Sequence, residues 1–443
     1  MVVVIIGAGL SGSLLALRMA QRGYEVRVFE RRPDMRKTSI SAGRSINLAL
    51  SNRGINALKM VGLEEDLLKI AVPMQGRMIH PLGGDSFFST YSGRKDEFIN
   101  SISRGELNKI LLDKAELFPN LSIQFDCNCQ HVDLQTATAR FEDLNDKSIF
   151  EVKGAIILGT DGANSALRQS MMSDRNILFN YSQDFLSHGY KELNIPPETS
   201  GVLEKNALHI WPRGEFMIIA LPNPQGDFTA TIFMSHKGKI AFEQISNEED
   251  VVAFFMQFFP DILPLIPDIA KQYFENPVGS LITIKCSPWQ ANGKTLMLGD
   301  AAHAIVPFYG QGMNCAFEDV FVFDQMLDKH GADFNALFEE FQDLRIPNAN
   351  AIADLAIDNF YEMRDHTANP IFQKKRMVET RLEQQFEDYF SKYSLVTFRA
   401  DIPYEEAMNR GRKQDALLME ICERTEDINS LDLLELRDKL YFK

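Results

Sequence analysis

Val2-Val3-Val4-Ile5-Ile6 runs directly into Gly7-Ala8-Gly9-Leu10-Ser11-Gly12, and no other stretch so narrows what the chain can fold into. An unbroken β-branched run suits a parallel strand buried on both faces. The glycines fit G-x-G-x-x-G, which permits a tight turn and lets backbone N–H groups approach a pyrophosphate. Ser13 to Arg22 reads as a helix, Gly23 sits where a C-terminal cap belongs, and Tyr24 to Glu30 alternates as a second strand. Glu30 ends that strand about 20 residues on, where an acid can accept hydrogen bonds from an adenosine ribose. Taken singly, Glu30 is equally a solvated strand end. The βαβ unit predicts a bound adenine dinucleotide and leaves NAD and FAD both open.

The 443 residues suffice for two or three packed regions. A net charge of -15 without any Lys/Arg-rich run gives no nucleic-acid footprint, so the expected partner is a small molecule. The most apolar stretch, Val251 to Pro267, is interrupted by Gln257, Pro260 and Asp261, and reads as an amphipathic core helix and its exit. The N-terminus opens on a strand rather than a secretory leader, which predicts a cytoplasmic protein. Five scattered cysteines suit reduced thiols. Cys127 and Cys129 would share a strand face, but no second Cys/His pair completes a zinc set, so they read as packing and no metal is expected.

Further buried strands at Ala155 to Leu158 and Thr295 to Leu298 imply that the first sheet is revisited late. Phe216 to Leu221 and Phe228 to Met234, joined by Pro222 to Asp227, read as a hairpin in a separate antiparallel sheet. From about Asp319 the pattern is almost wholly helical. The expected fold class is α/β: a discontinuous Rossmann-like domain (1–72, 97–178 and 278–325), an antiparallel substrate domain (73–96 and 179–277), and a C-terminal helical region (326–443).

Two later motifs discriminate between the dinucleotides. Gly159-Thr160-Asp161-Gly162-Ala163-Asn164-Ser165 and Gly299-Asp300-Ala301-Ala302-His303-Ala304 each follow a buried strand. An Asp in either place, alone, is ordinary turn chemistry. With Gly7 to Gly12 they resemble the three-part fingerprint of the single-component FAD-dependent aromatic hydroxylases. That resemblance implies that Asp300 binds the ribityl chain, that Asp161 serves FAD and nicotinamide, and that Arg104 of Ser103-Arg104-Gly105-Glu106-Leu107 lies near the pyrophosphate. It assigns Gly7, Gly9, Leu10, Ser11, Gly12, Glu30, Arg31, Ala49, Pro307, Gly312, Met313 and Asn314 to the cofactor as well. Pro307 to Asn314 leads into an apparent helix from Cys315, whose N-terminus would face the isoalloxazine and stabilise an anionic reduced flavin.

Gly43 to Ser51, Gly76-Arg77-Met78-Ile79-His80, Phe308 to Asn314, Asn359-Phe360-Tyr361-Glu362-Met363-Arg364 and Tyr393 to Phe398 narrow the resemblance to the kynurenine 3-monooxygenase family, bacterial type. The implied activity is that of a flavin-dependent monooxygenase of the kynurenine pathway. It would hydroxylate L-kynurenine at ring position 3 through a C4a-hydroperoxyflavin, with FAD bound and NADPH and O2 as co-substrates. Arg77 and Tyr91 would hold the amino-acid carboxylate, with Asn359, Tyr393 and Glu362 completing the polar end. A guanidinium forks onto a carboxylate and keeps its charge, which suits that role. Without the family match, Arg77 reads as a surface ion pair and the tyrosines as core.

Met217, Ile219 and Leu221 face one side of a strand with Phe233 on the next, and Pro307 and Phe308 opposite would close an apolar wall around the aryl ring. The bland alternative is sheet core. No side chain is assigned as catalytic; His303 is read as structural. The rival activities are hydroxylation of another amino-substituted aromatic acid, such as anthranilate, and flavin-dependent partner binding without turnover. Tyr309 departs from the Phe or His of relatives. The charged Leu431 to Lys443 predicts no stable membrane anchor. Oligomeric state is left open, a homodimer included.

Overall fold

The computed structural model describes residues 1–37, 47–363 and 369–441. Gly43 to Ile46 and Arg364 of the family motifs, and Phe442 and Lys443 at the end of the chain, lie outside the described residues.

Val2–Ile6 lies inside a six-stranded sheet, between Ile156–Gly159 and Glu25–Phe29. Thr295–Met297 and Leu121–Gln124 flank these, and Gln290–Ala291 forms the edge. Neighbours run parallel, except that the edge strand is antiparallel to Thr295–Met297. Val3, Val4 and Ile5 are fully buried, which is why the strand carries no polar alternation. The late return of the chain to this sheet is therefore real. The first helix is Leu10–Gln21 rather than Ser13–Arg22: Gly9, extended at φ −70° and ψ −172°, is its N-cap, so the helix opens directly on the glycine turn. Gly23 follows the helix at φ +86°, a conformation only glycine adopts cheaply.

A seven-stranded sheet runs in the order Gly279–Ser287, Asn180–Ile195, Phe228–Ser235, Met217–Pro222, Ala207–Pro212, Gly76–Ile79, Phe87–Thr90. It is antiparallel except where Ala207–Pro212 meets Gly76–Ile79. The expected hairpin is present, with Met217 opposite Phe233. Its two faces serve two cores, as strand alternation requires. Ile218, Ala220, Ile232 and Met234 pack in a cluster with Val251, Phe254 and Phe255 of the helix Glu248–Phe258. Met217, Leu221 and Phe233 join the main core.

Gly279–Ser287 follows the boundary expected at 278. The long strand Asn180–Ile195 offers it an edge, pairing Asn180 with Ser287 through to Tyr190 with Gly279, so the chain leaves this sheet only after Ser287.

Three-stranded sheets of Asn47–Leu50, Ile99–Ser103 and Val72–Met74, and of Cys127–Asp133, Thr138–Asp143 and Ile149–Lys153, complete the β structure of the described residues. The helical part begins at Gly312 rather than Cys315 and continues as Phe334–Tyr361, Pro370–Gln385, Lys392–Thr397, Tyr404–Arg424 and Leu433–Tyr441. Among the described residues no helix is long and apolar enough to cross a membrane.

Candidate functional site

A cavity of about 490 Å³ opens where the parallel strands end. Of the expected cofactor residues, Gly7, Gly9, Leu10, Ser11, Glu30, Arg31, Ala49, Arg104, Asp161, Asp300, Pro307, Gly312 and Met313 line it. A larger cavity of about 680 Å³ adjoins at Asn47, but its walls carry Glu106, Glu192, Asp227, Asp268 and Glu275 and would repel a phosphate.

The smaller cavity suits an extended dinucleotide on three observations. Two helices, Leu10–Gln21 and Gly312–His330, start at its wall, and neither N-terminus has a side-chain cap, which leaves first-turn N–H groups for an anion. A Cβ at Gly9 would meet no protein atom within 4 Å, so the turn presents bare backbone to the space. Asp161 accepts from the Ala166 N–H at 2.6 Å through Oδ2, while its Oδ1 is buried without a partner, an acceptor suited to a ligand hydroxyl. Burial raises the Asp161 carboxyl above its ordinary pKa.

The turn itself is fixed by contact. A Cβ at Gly7, where φ is +97°, would lie 2.6 Å from the Thr160 carbonyl oxygen, and one at Gly12 would lie 2.0 Å from the Gly7 oxygen. Glu30 does more than line the cavity: its Oε2 accepts from the Ala8 N–H at 2.7 Å and its Oε1 from Arg32 Nε at 2.8 Å. Burial opposes its charge, but Arg32 and the Ala8 amide outweigh it and lower the pKa.

Gly12 and Asn314 are not in the lining. Gly12 lets the helix pack on the turn. Asn314 donates to the Ala49 and Gly310 carbonyls at 2.7 and 2.8 Å and accepts from the Ser51 N–H, stapling the strand Asn47–Leu50 to the loop before its own helix.

Behind that helix lies a buried ionic network. Asp319 accepts from His303 Nε2 at 2.6 Å, the Gly299 N–H at 2.9 Å and Arg345 Nε at 2.8 Å; Glu318 takes Arg345 and Arg53. Burial disfavours a charged His303, but Asp319 and Cys315 raise its pKa well above the ordinary value. Burial also opposes the Asp319 charge, yet His303 and Arg345 hold it at about 2. His303, Cys315 and Asp319 come within ligand distance of one another, but Asp319 is fully engaged and Arg345 already supplies the positive charge. The trio is scaffold beneath Gly299 and Asp300.

At the other end Arg77, Tyr91 and Tyr393 meet. The tyrosine rings stack with centroids 5.1 Å apart and planes 9° apart, and the Arg77 guanidinium carbon lies 5.3 and 4.9 Å from them. Arg77 Nε and the Tyr91 hydroxyl are buried with no hydrogen-bond partner. Tyr309 stacks on Tyr393 at 5.6 Å as a third ring of the stack.

Glu362 pairs with Lys392 Nζ at 3.1 Å. Burial pushes the Glu362 carboxyl up, but Lys392, Lys375 and Arg77 prevail and hold it at about 2. Asn359 donates to the Phe308 carbonyl at 2.6 Å, and so reaches the site through the loop rather than through the tyrosines. The Phe308 ring lies 4.9 Å from Phe233 and 4.4 Å from Phe360. Met217, Leu221 and Phe233 are buried and Ile219 half-buried on that side. The turn Pro307–Tyr309 joins everything: Pro307 lines the cofactor cavity, Phe308 meets the apolar wall, and Tyr309 meets the polar end.

Cys127 and Cys129, read as packing, line the cavity with Asn128. The Cys127 N–H donates to the Glu30 carbonyl at 2.9 Å, bringing this strand to the ribose end. Burial pushes both thiols up, to about 11 and about 12. The same-face spacing was the available signal; what it lacked was the position of Glu30 beside it. Tyr309, Lys392 and Glu383 also went unassigned, because their partners lie far away in sequence.

Comparison with known proteins agrees with this geometry. Residues 1–206 and 281–354 match the family model described as FAD binding domain. The chain is 45% identical to kynurenine 3-monooxygenase of Myxococcus xanthus, over 96% of this chain and 92% of that one. It is 42% identical to kynurenine 3-monooxygenase of Dictyostelium discoideum, over 100% and 97%. In fold it is similar to 2-methyl-3-hydroxypyridine-5-carboxylic acid oxygenase, with a TM-score of 0.68 at 18% identity over 86% of this chain and 97% of that one.

Proposed function

The chain belongs to the kynurenine 3-monooxygenase family of FAD-binding proteins, and from that footing we propose that it converts L-kynurenine to 3-hydroxykynurenine. FAD would be held in the 490 Å³ cavity and NADPH and O2 consumed, with NADP⁺ and water released. When bound, FAD supplies the transfer of electrons from NADPH and the activation of O2.

The observation that carries the substrate assignment is the pair of buried, unpartnered polar atoms, Arg77 Nε and the Tyr91 hydroxyl. Leaving such groups unsatisfied costs about 1–3 kcal/mol each, and an amino-acid carboxylate supplies the acceptors both need. Glu362, kept anionic beside Lys392, is the complementary partner for the α-ammonium group. An anthranilate-type acid has no ammonium group to answer Glu362.

Met217, Ile219, Leu221, Phe233 and Phe308 would hold the ring in an apolar, water-poor space next to Pro307. The aniline nitrogen already enriches the ring carbon ortho to it, so the protein's work is positioning and exclusion of water rather than removal of a substrate proton. The five unpaired thiols fit a reducing compartment, and we infer a cytoplasmic enzyme.

The test is NADPH oxidation by FAD-loaded protein with and without L-kynurenine, with the product identified by mass. Kynurenine-dependent oxidation yielding a product heavier by one oxygen is expected. Oxidation indifferent to kynurenine, with no hydroxylated product, would refute the assignment.

A further inference from the structure

Tyr91 and Tyr393 are 302 positions apart in the sequence, yet their rings lie 5.1 Å apart and 9° from parallel. The Tyr91 hydroxyl has no hydrogen-bond partner that could impose that geometry. The alignment comes from the helix Pro370–Gln385, which touches the backbone on both sides. Arg376 donates to the Thr90 and Tyr91 carbonyls at 3.2 Å each. One turn pair further on, Glu383 Oε2 accepts from the Gly93 N–H at 2.8 Å. Its other oxygen accepts from the Ser391 N–H at 2.9 Å and the Ser394 hydroxyl at 2.6 Å. Ser391 is the N-cap of Lys392–Thr397, the helix that carries Tyr393.

A single carboxylate, 4% exposed, therefore holds the segment after Tyr91 with one oxygen and the start of the Tyr393 helix with the other. The fit is close: a Cβ at Gly93 would stand 2.5 Å from the Thr380 carbonyl oxygen and 2.9 Å from Glu383 Cβ, so only glycine lets the loop come near enough for its N–H to reach. All three donors to Glu383 are N–H or O–H groups, and a carboxylate, with acceptors only, answers all of them at once.

We propose that Glu383 is a positioning residue that sets the spacing of Tyr91 and Tyr393 over Arg77, and through it the affinity for the substrate's α-carboxylate. This rests on the carboxylate reading of Arg77 and Tyr91 given above. Neither Glu383 nor its partners Gly93, Ser391 and Ser394 line the cofactor cavity, so its effect should fall on substrate rather than on FAD.

The measurement is the ratio of dissociation constants for kynuramine, which lacks only the α-carboxylate, and L-kynurenine, on FAD-loaded protein, together with KM and kcat. Glu383→Gln presents an amide N–H₂ to one of its donors. Loss of one charge-assisted bond makes L-kynurenine bind about tenfold or more weakly, with kynuramine binding nearly unchanged, so the ratio collapses. KM should rise far more than kcat falls, and FAD content should hold. Ser394→Ala, which removes one donor and keeps the carboxylate, should shrink the ratio by a smaller factor.

An unchanged ratio in Glu383→Gln overturns the proposal. So does a loss of FAD or of folding in both variants, since Glu383 would then be a general stability element. A wild-type protein that does not distinguish the two ligands would instead undo the carboxylate reading itself.

Discussion

Lys392 Nζ lies 3.1 Å from Glu362 Oε2, so the carboxylate suited to a substrate ammonium group is neutralised from within the protein. Lys392 also reaches Asp415, and it gets there because Gly411 has no side chain: a Cβ at that position would lie 2.5 Å from Lys392 Cγ. Asp415 has Lys375 as a second partner at 2.6 Å, and Glu379 and Arg376 lie beyond it. Of the pair, Glu362 depends more on Lys392.

Replacing Lys392 by Met should therefore let burial push the Glu362 carboxyl up from about 2. The variant binds L-kynurenine normally at high pH and loses affinity as pH falls and Glu362 takes a proton. KM is expected to rise about tenfold for each unit below the new pKa, while the wild-type KM stays flat over the same range. A pH series of KM for both proteins checks it; parallel profiles would mean that Glu362 does not meet the substrate.

Arg77→Ala should raise the KM for L-kynurenine about 10- to 100-fold, the weight of a charge-assisted bond to a carboxylate. Arg77→Lys should recover little, since an ammonium cannot make the forked contact. FAD content should be wild-type in both, because Arg77 is absent from the cofactor lining. Flavin absorbance after gel filtration reads this directly, and loss of FAD would mean that Arg77 is misassigned.

Two glycines three positions apart in the motif should fail differently. At Gly9 the backbone is extended and an added side chain meets no protein atom within 4 Å, so Gly9→Val should fold and stay near the wild-type apo melting temperature. Its side chain would occupy the space of the pyrophosphate, and FAD affinity should drop by about two orders of magnitude or more. At Gly12 a Cβ lies 2.0 Å from the Gly7 oxygen, so Gly12→Ala should strain the turn and lower the melting temperature even without FAD. Thermal unfolding of the apo proteins separates the two cases.

That contrast shows why the cofactor end was legible in the sequence. Gly7 to Gly12, Glu30, Asp161 and Asp300 each stand just beyond a strand of one parallel sheet, and short-range rules tie strand, turn and helix together. Where those rules went wrong, at the starts of the helices Leu10–Gln21 and Gly312–His330, the error was a few residues at an uncapped N-terminus, where no Ser, Thr or Asp marks the start.

The substrate end offers nothing comparable. Arg77, Tyr91, Tyr309 and Tyr393 come from a strand, a loop, a short turn and a helix, and no local period links them. Family resemblance could point to Arg77, Tyr91 and Tyr393. It could not show that Lys392 neutralises Glu362, or that Asn359 acts through the Phe308 carbonyl. The same distance effect hid Cys127 and Cys129, whose neighbour Glu30 is nearly a hundred positions earlier.

Acid should weaken this protein beneath the cofactor helix. Asp319 is held at about 2 in the folded state by His303 and Arg345 against the cost of burial, below its ordinary value of 3.8. A carboxyl whose folded pKa is depressed contributes stability above its unfolded pKa and loses it as pH falls toward the folded one. The window is thus from about pH 4 down to about pH 2, and the shift is worth roughly 2 kcal/mol. Asp319→Asn should remove that acid-sensitive component and also take the carboxylate from His303 and from one edge of Arg345, which keeps Glu318, costing about 3–5 kcal/mol near neutral pH. Melting temperatures from about pH 4 down to about pH 3 should therefore show a lower and flatter profile for the variant, while at higher pH His303, buried without Asp319, resists protonation and the variant loses stability that the wild type keeps. A variant curve that merely shifts down in parallel with the wild type would place the acid-sensitive group elsewhere.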